Sequence, residues 1–302
     1  MSAKLNKLTG AHWGALAIVT AAGLWGTVGV ATRALYGLAP ATNALSIGFF
    51  RLALSVPALG LLAWRTVGPA LFRVPRRDLG LMLVMGALMA LYQVCYFAAI
   101  PRLGVTTAVI LTICSAPVLV AVLAALFLKE RFSAALAVAL LAALAGTILL
   151  AGLTPAEFTA RSQEVAGVLL ALGSAAGYAV LTLCSRVLAG RYHPLQPTFI
   201  AFASGALALL PFALAGGLTL TYPVPGWLLL LHLGLLPTAL GYWLFMTGLK
   251  HTPATAASIL ALAEPLTSTL LAAWLFGERL PPAGLAGAGL LIGALLLLLR
   301  RR

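Results

Sequence analysis

GVTTAVILTICSAPVLVAVLAALFLKER, residues 104–131, returns 148 positions later as TPATAASILALAEPLTSTLLAAWLFGER, residues 252–279. In this register Thr107 meets Thr255, Pro117 meets Pro265, Glu130 meets Glu278 and Arg131 meets Arg279. Upstream, Gly86 meets Gly234, Phe97 meets Phe245 and Arg102 meets Lys250. Nearer the start the offset is 153, pairing Gly14 with Gly167, Ala22 with Ala175, Arg33 with Arg186 and Leu35 with Leu188. The longer Arg-rich loop from Arg65 to Arg77 absorbs the difference. Composition alone does not produce such a run, so the chain reads as two copies, over 1–152 and 153–302.

Each copy is too apolar for water. Hydrophobic residues make up 62% of the 302 positions and charged ones 8%, and the mean hydropathy is +1.08, outside the soluble globular range. Apolar runs long enough to cross a hydrocarbon core, about 20 residues each, recur along the whole chain. They predict ten membrane helices near 12–35, 42–64, 78–99, 104–128, 132–152, 164–188, 195–216, 225–248, 253–276 and 282–300. The runs are continuous and rich in Ala and Leu, without the two-residue alternation of a barrel strand, so the fold class is an all-α integral membrane bundle. Five helices per copy make the second copy enter the bilayer from the opposite side. The repeats are therefore inverted.

The net charge of +13 would suggest nucleic acid in a soluble protein, but here the basic residues are scattered over loops. No nucleic-acid partner is expected; the lipid bilayer is. With the N-terminus in the cytoplasm, fourteen basic residues fall inside: Lys4, Lys7, Arg65, Arg73, Arg76, Arg77, Lys129, Arg131, Arg186, Arg191, Lys250 and 300–302. Only Arg33, Arg102, Arg161 and Arg279 fall outside, so both termini are expected in the cytoplasm. The run from Ala11 to Tyr36 is too long for a secretory h-region and reads as the first helix. Cys95, Cys114 and Cys184 have no metal-like or paired spacing and read as small apolar filler.

Two five-helix halves, each with a proline in its fourth helix (Pro117, Pro265) and a Glu-Arg pair at that helix's end (Glu130-Arg131, Glu278-Arg279), resemble the EamA-type branch of the drug/metabolite transporter superfamily. The resemblance covers nearly the whole chain. It implies a basket-like bundle in which helices one, three, four, six, eight and nine surround a central cavity. It also implies export of amino acids and other metabolites across the bacterial inner membrane. Overall likeness is greatest to the aromatic amino acid exporters.

Glu264 is the one acidic residue deep in a predicted helix, where an ionised carboxylate is costly. It reads as a proton-coupling group, an anchor for a substrate ammonium, or a hydrogen-bonding tie between helix ends. Its repeat mate is Ala116, so it breaks the symmetry of the halves. Aromatic side chains gather on the helices that the resemblance places around the cavity: Trp25, Tyr92, Tyr96, Tyr178 and Tyr242, with Trp243 beside it. Their faces and hydroxyls can stack on an aromatic substrate or hold its ammonium, although interfacial belts and helix packing use the same residues. Ser115, which reads as a hydrogen-bonding contact to substrate or as packing between helices, precedes Pro117, whose missing N–H frees a carbonyl and can bend the helix. His232 reads as a hydrogen-bonded neutral imidazole or a proton relay, and Arg51, within helix two, as a side chain in structural pairing or in a water-filled crevice, with direct substrate binding the less favoured alternative. Gly23, Gly26 and Gly29, three apart, read as a packing stripe. The Glu-Arg pairs read as local ion pairs at helix ends.

The chain contains no GxxxxGK[ST] loop, HExxH, GxSxG or Cys/His cluster. The sequence therefore gives no support for nucleotide hydrolysis, metal-dependent chemistry or a serine nucleophile, and no cofactor is expected. The function that fits is a secondary transporter, not an enzyme, moving aromatic and other neutral amino acids by alternating access between the halves. An exporter of a different metabolite or drug class, an integral-membrane lipid-modifying enzyme and a passive channel are the alternatives.

Overall fold

The computed structural model describes residues 2–103, 105–151, 164–277 and 281–300. Ten of its helices are long and apolar enough to cross a membrane. They are α1 (Ser2–Leu38), α2 (Ala44–Val67), α3 (Arg76–Leu103), α4 (Val105–Leu128), α5 (Ala134–Ala151), α6 (Val165–Ala189) and α7 (Leu195–Ala215), followed by α8 from Val224 to Leu249, α9 from Ala254 to Phe276, and α10 (Pro282–Arg300). A helix satisfies its backbone internally, which is what hydrocarbon requires. Large apolar side chains such as Leu207, Phe127 and Trp274 point outward, 72%, 72% and 79% exposed, where lipid covers them.

Two helices that the sequence predicts as continuous are interrupted. In α8, Val224–Leu233 passes through a π-helical stretch, Gly234–Leu240, before Gly241–Leu249. Pro237 has no N–H to give the carbonyl of Leu233, and the Thr238 hydroxyl donates to that carbonyl instead, at 2.7 Å. In α9, Ala254–Leu260 and Ala263–Phe276 are separated at Ala261 and Leu262. Pro265 again removes a helical donor, and the chain tightens, with the N–H of Glu264 donating to Ala261 at 3.0 Å. Its mate α4 runs unbroken through Pro117, so only one of the two prolines accompanies a break.

The principal packed pairs exchange between halves. Helix α1 lies on α8 and α9, as α6 lies on α3 and α4; α2 packs on α8 as α7 packs on α3, while α2–α7 and α5–α10 pair with each other. Close backbones make this possible. A Cβ on Gly146 would stand 2.7 Å from the carbonyl oxygen of Gly287, and one on Gly287 2.6 Å from that of Gly146. The Gly23, Gly26 and Gly29 stripe lies against the second limb of α9: a Cβ on Gly26 would meet the Thr267 Cβ at 2.6 Å.

Polar contacts join the halves at both ends of the bundle. At one end, Asp78 at the start of α3 accepts from Arg191 Nη1 at 3.0 Å and from the Tyr192 hydroxyl at 2.6 Å. Gln196 Nε2 there donates to the carbonyls of Ala70 and Leu71, in the short turn that follows α2. At the other end Asn43 caps α2, its Oδ1 accepting from the Ser46 N–H at 2.8 Å, and its amide donates to Gly216 and Gly217 after α7. Thr42 and Tyr222 join hydroxyl to hydroxyl beside it.

Candidate functional site

In the middle of the bundle Arg51 and Leu52 from α2, Met89, Tyr92 and Gln93 from α3, and Thr238 and Tyr242 from α8 line a narrow cavity too tight to admit a water molecule. Sites that enclose a drug-sized ligand hold roughly 300–1,000 Å³. The broad central space implied for the basket is thus largely filled by side chains in this conformation.

The interruption in α8 shapes this wall. The carbonyl of Pro237 accepts from the indole Nε1 of Trp25, on α1, at 2.9 Å. The indole ring then stacks obliquely on Tyr242 and Phe245, at centroid distances of 4.9 and 5.3 Å. Tyr242 also meets Phe202 edge-on at 5.0 Å, and its hydroxyl lies 3.5 Å from that of Tyr92. The Tyr92 ring in turn faces Tyr178 of α6 at 6.3 Å. Trp25, Tyr92, Tyr178 and Tyr242 therefore form one continuous aromatic group drawn from four helices. The aromatic pairs in it contribute about 0.5–1.5 kcal/mol each beyond area burial.

Tyr96 lies outside the cavity wall, half-buried and tilted against Phe97 at 5.4 Å. Ser115 is half-buried on α4, which packs against α6. Glu264 sits in the first turn of the second α9 limb, half-buried. A helix N-terminus favours negative charge, so the break gives this carboxylate a local electrostatic partner that a continuous helix would lack.

His232 is tied away from the cavity. The Thr27 hydroxyl donates to the Leu24 carbonyl at 2.7 Å and lies 3.0 Å from His232 Nε2. That contact fastens α8 to α1. The expected local pair Glu130-Arg131 gives way to a longer reach: Glu130 accepts from the backbone N–H groups of Ala254 and Thr255 at the start of α9. N–H groups at a helix start have no intrahelical partner and attract a carboxylate more than a solvated neighbouring guanidinium does. Its mate pair, Glu278-Arg279, lies outside the described residues.

A model described as the EamA-like transporter family matches residues 12–152 and again residues 165–300. The chain belongs to this family. It is 32% identical over 287 residues to "Uncharacterized transporter YwfM" of Bacillus subtilis, covering 94% of this chain and 92% of that one. It is 32% identical over 302 residues to a "Probable terminal-alkyne amino-acid exporter" of Streptantibioticus cattleyicolor, covering 98% and 95%. "Pseudopaline exporter CntI" of Pseudomonas aeruginosa is 31% identical over 255 residues, 82% of this chain and 83% of the relative. A solved crystal structure superposes with a TM-score of 0.80 at 25% identity, covering 95% of this chain and 98% of that one.

In this EamA-like transporter the residues that sequence reasoning passed over are polar ones on the cavity wall. Gln93 and Thr238 look ordinary in sequence, yet they are 3% and 1% exposed. Arg51, read as a structural pair or crevice residue, donates from Nε to Thr238 Oγ1 at 3.3 Å and lines the cavity. The available signal was a guanidinium in a membrane span, which has to face protein or water and not lipid.

Proposed function

We propose that this chain is a secondary exporter of amino acids and related small metabolites, working by alternating access between two inverted halves, 1–152 and 153–302. The observation that carries the reading is the cavity itself. It lies midway through a ten-helix membrane bundle and combines a guanidinium and an amide with an aromatic wall, and polar contacts join the halves at both ends of the bundle. A carrier needs a central site whose two gates open one at a time. The exchange of packed pairs between halves supports two units able to rock about that site.

The amino-acid class draws on the wall's aromatic group and on the printed name of the Streptantibioticus relative; the name of CntI supports a related metabolite as the second reading. The excess of basic residues in loops on one side supports an inner-membrane location with both termini in the cytoplasm. Reporter fusions to the C-terminus check the orientation: activity of a periplasm-dependent reporter there would invert it.

The experiment for transport is exchange of labelled Phe, Trp, Thr and Ala in proteoliposomes, with and without an imposed pH gradient. Saturable movement led by Phe and Trp is the expected result. Non-saturable leakage would make the protein a pore, and no movement of any of the four would remove amino acids from consideration.

A further inference from the structure

We propose that Arg51 and Gln93 form a head-group subsite that selects zwitterionic α-amino carboxylates, with Arg51 holding the carboxylate and the Gln93 carbonyl oxygen accepting from the ammonium. The inference deepens the transporter reading and rests on it. Arg51 offers five N–H donors in a planar fork. Among the described residues only Nε has a hydrogen-bond partner, Thr238 Oγ1 at 3.3 Å. No described carboxylate lies within ion-pair distance of it.

Gln93 presents the complementary deficit. Its amide nitrogen donates to the Met89 carbonyl at 3.3 Å. Its Oε1 is buried and has no hydrogen-bond partner among the described residues, in a side chain that lines the same cavity as Arg51. Gly48, three residues before Arg51 on α2 and so on the same helix face, makes room for it. A Cβ at Gly48 would stand 2.7 Å from that oxygen. The chain thus keeps an unsatisfied acceptor beside an underused cation at the centre of a membrane protein, where each deficit is costly.

A ligand that relieves both must carry an anion and an N–H donor close together. A simple carboxylate leaves Gln93 unsatisfied, and a simple amine is repelled by Arg51. An α-amino carboxylate satisfies both. The cavity between these side chains is closed to water in this conformation, so the head group enters when the halves move apart, with the substrate's side chain directed toward Tyr92 and Tyr242.

The test uses the purified full-length protein and ligand-induced change in Trp fluorescence and melting temperature, with two matched series. One is phenylalanine, phenylalaninamide and 3-phenylpropionate; the other is threonine and threoninamide. At least one free amino acid should bind about tenfold or more tighter than its amide, and phenylalanine tighter than 3-phenylpropionate. Arg51→Gln should abolish the preference for acid over amide by weakening the acid, with the amide bound as well as before or more tightly. Gln93→Leu should abolish the preference over 3-phenylpropionate. Binding of acid and amide with equal affinity overturns the subsite, as does binding of no free amino acid. Equal weakening of every ligand by Arg51→Gln overturns it too. Exchange assays on the same preparations separate the two ideas: solute movement without head-group discrimination removes the subsite alone, and head-group-specific binding without movement removes the carrier alone.

Discussion

The carboxylate of Glu130, at the end of α4 in the first half, holds Thr255 in the second: Oε2 accepts from its backbone N–H at 3.1 Å and from its hydroxyl at 2.9 Å. Oε1 accepts from the Ala254 N–H at 2.7 Å. Arg186 of α6 lies 4.0 Å from the same carboxylate and donates to the Leu249 carbonyl at the end of α8. One side chain thereby ties α4 to the N-terminus of α9 and to the end of α6. It does so with its side chain 15% exposed, where charge-assisted bonds are stronger than in bulk water. Glu130→Ala should destabilise the protein by about 1–3 kcal/mol, the range for losing a cap and its charged bonds. Melting of the detergent-solubilised variant measures this, and a wild-type melting temperature would show that the tie is idle.

At the same end of the bundle the stability should depend on pH in a defined way. The hydrogen bond to Asp78 and burial hold the Tyr192 phenol above its usual 10.0. A group raised in the fold contributes below its unfolded value, and the contribution is lost as pH rises through the folded value. His193 is held below 6.5 by burial and by the Lys250 charge, so its contribution is present above 6.5 and lost as pH falls. Melting temperature should therefore fall on both flanks. Tyr192→Phe should flatten the alkaline flank alone and His193→Gln the acid flank alone. A profile unchanged by either substitution would mean that other groups set it.

The glycine stripe of α1 makes a graded prediction. A Cβ at Gly26 would meet the Thr267 Cβ at 2.6 Å and the Glu264 carbonyl at 2.9 Å, whereas at Gly23 the nearest atom is Thr267 Oγ1 at 4.0 Å. Gly26→Ala should cost about 1–3 kcal/mol through overpacking. Gly23→Ala should be neutral or slightly stabilising, because alanine favours a helix by about 0.8–1 kcal/mol over glycine. Equal melting temperatures for the two variants would contradict the close approach of α1 to α9.

The ten spans were legible because lipid imposes a simple rule on sequence: an apolar run of sufficient length and a helix are nearly the same statement. Trp25, Tyr92, Tyr178 and Tyr242 were legible as a group because large amphipathic rings stand out in an Ala- and Leu-rich chain. The interruptions before Tyr242 and Glu264 were not, since Pro117, Pro237 and Pro265 have the same local signature and only the packing decides which helix opens. Gln93 was hidden for a related reason. Its importance comes from an unsatisfied oxygen beside Gly48 of another helix, and a single chain's pattern carries no sign of such a pairing. Glu130 misled in the opposite direction, because its sequence neighbour Arg131 offered an easy partner while the stronger one lay 124 residues away.

Glu264 provides the test of coupling. Its place in the first turn of the second α9 limb stabilises a carboxylate through the helix dipole. A proton arriving there would weaken that interaction, so protonation and the arrangement of α9 against α1 and α4 would be linked. Under this reading Glu264→Gln, which keeps shape and hydrogen-bonding capacity but carries no charge, folds normally and transports without responding to an imposed pH gradient. Glu264→Asp keeps a response. The measurement is initial-rate exchange in proteoliposomes at matched internal pH, with and without the gradient. If wild type responds and the Gln variant responds equally, the proton acts elsewhere and Glu264 serves only to hold the broken helix.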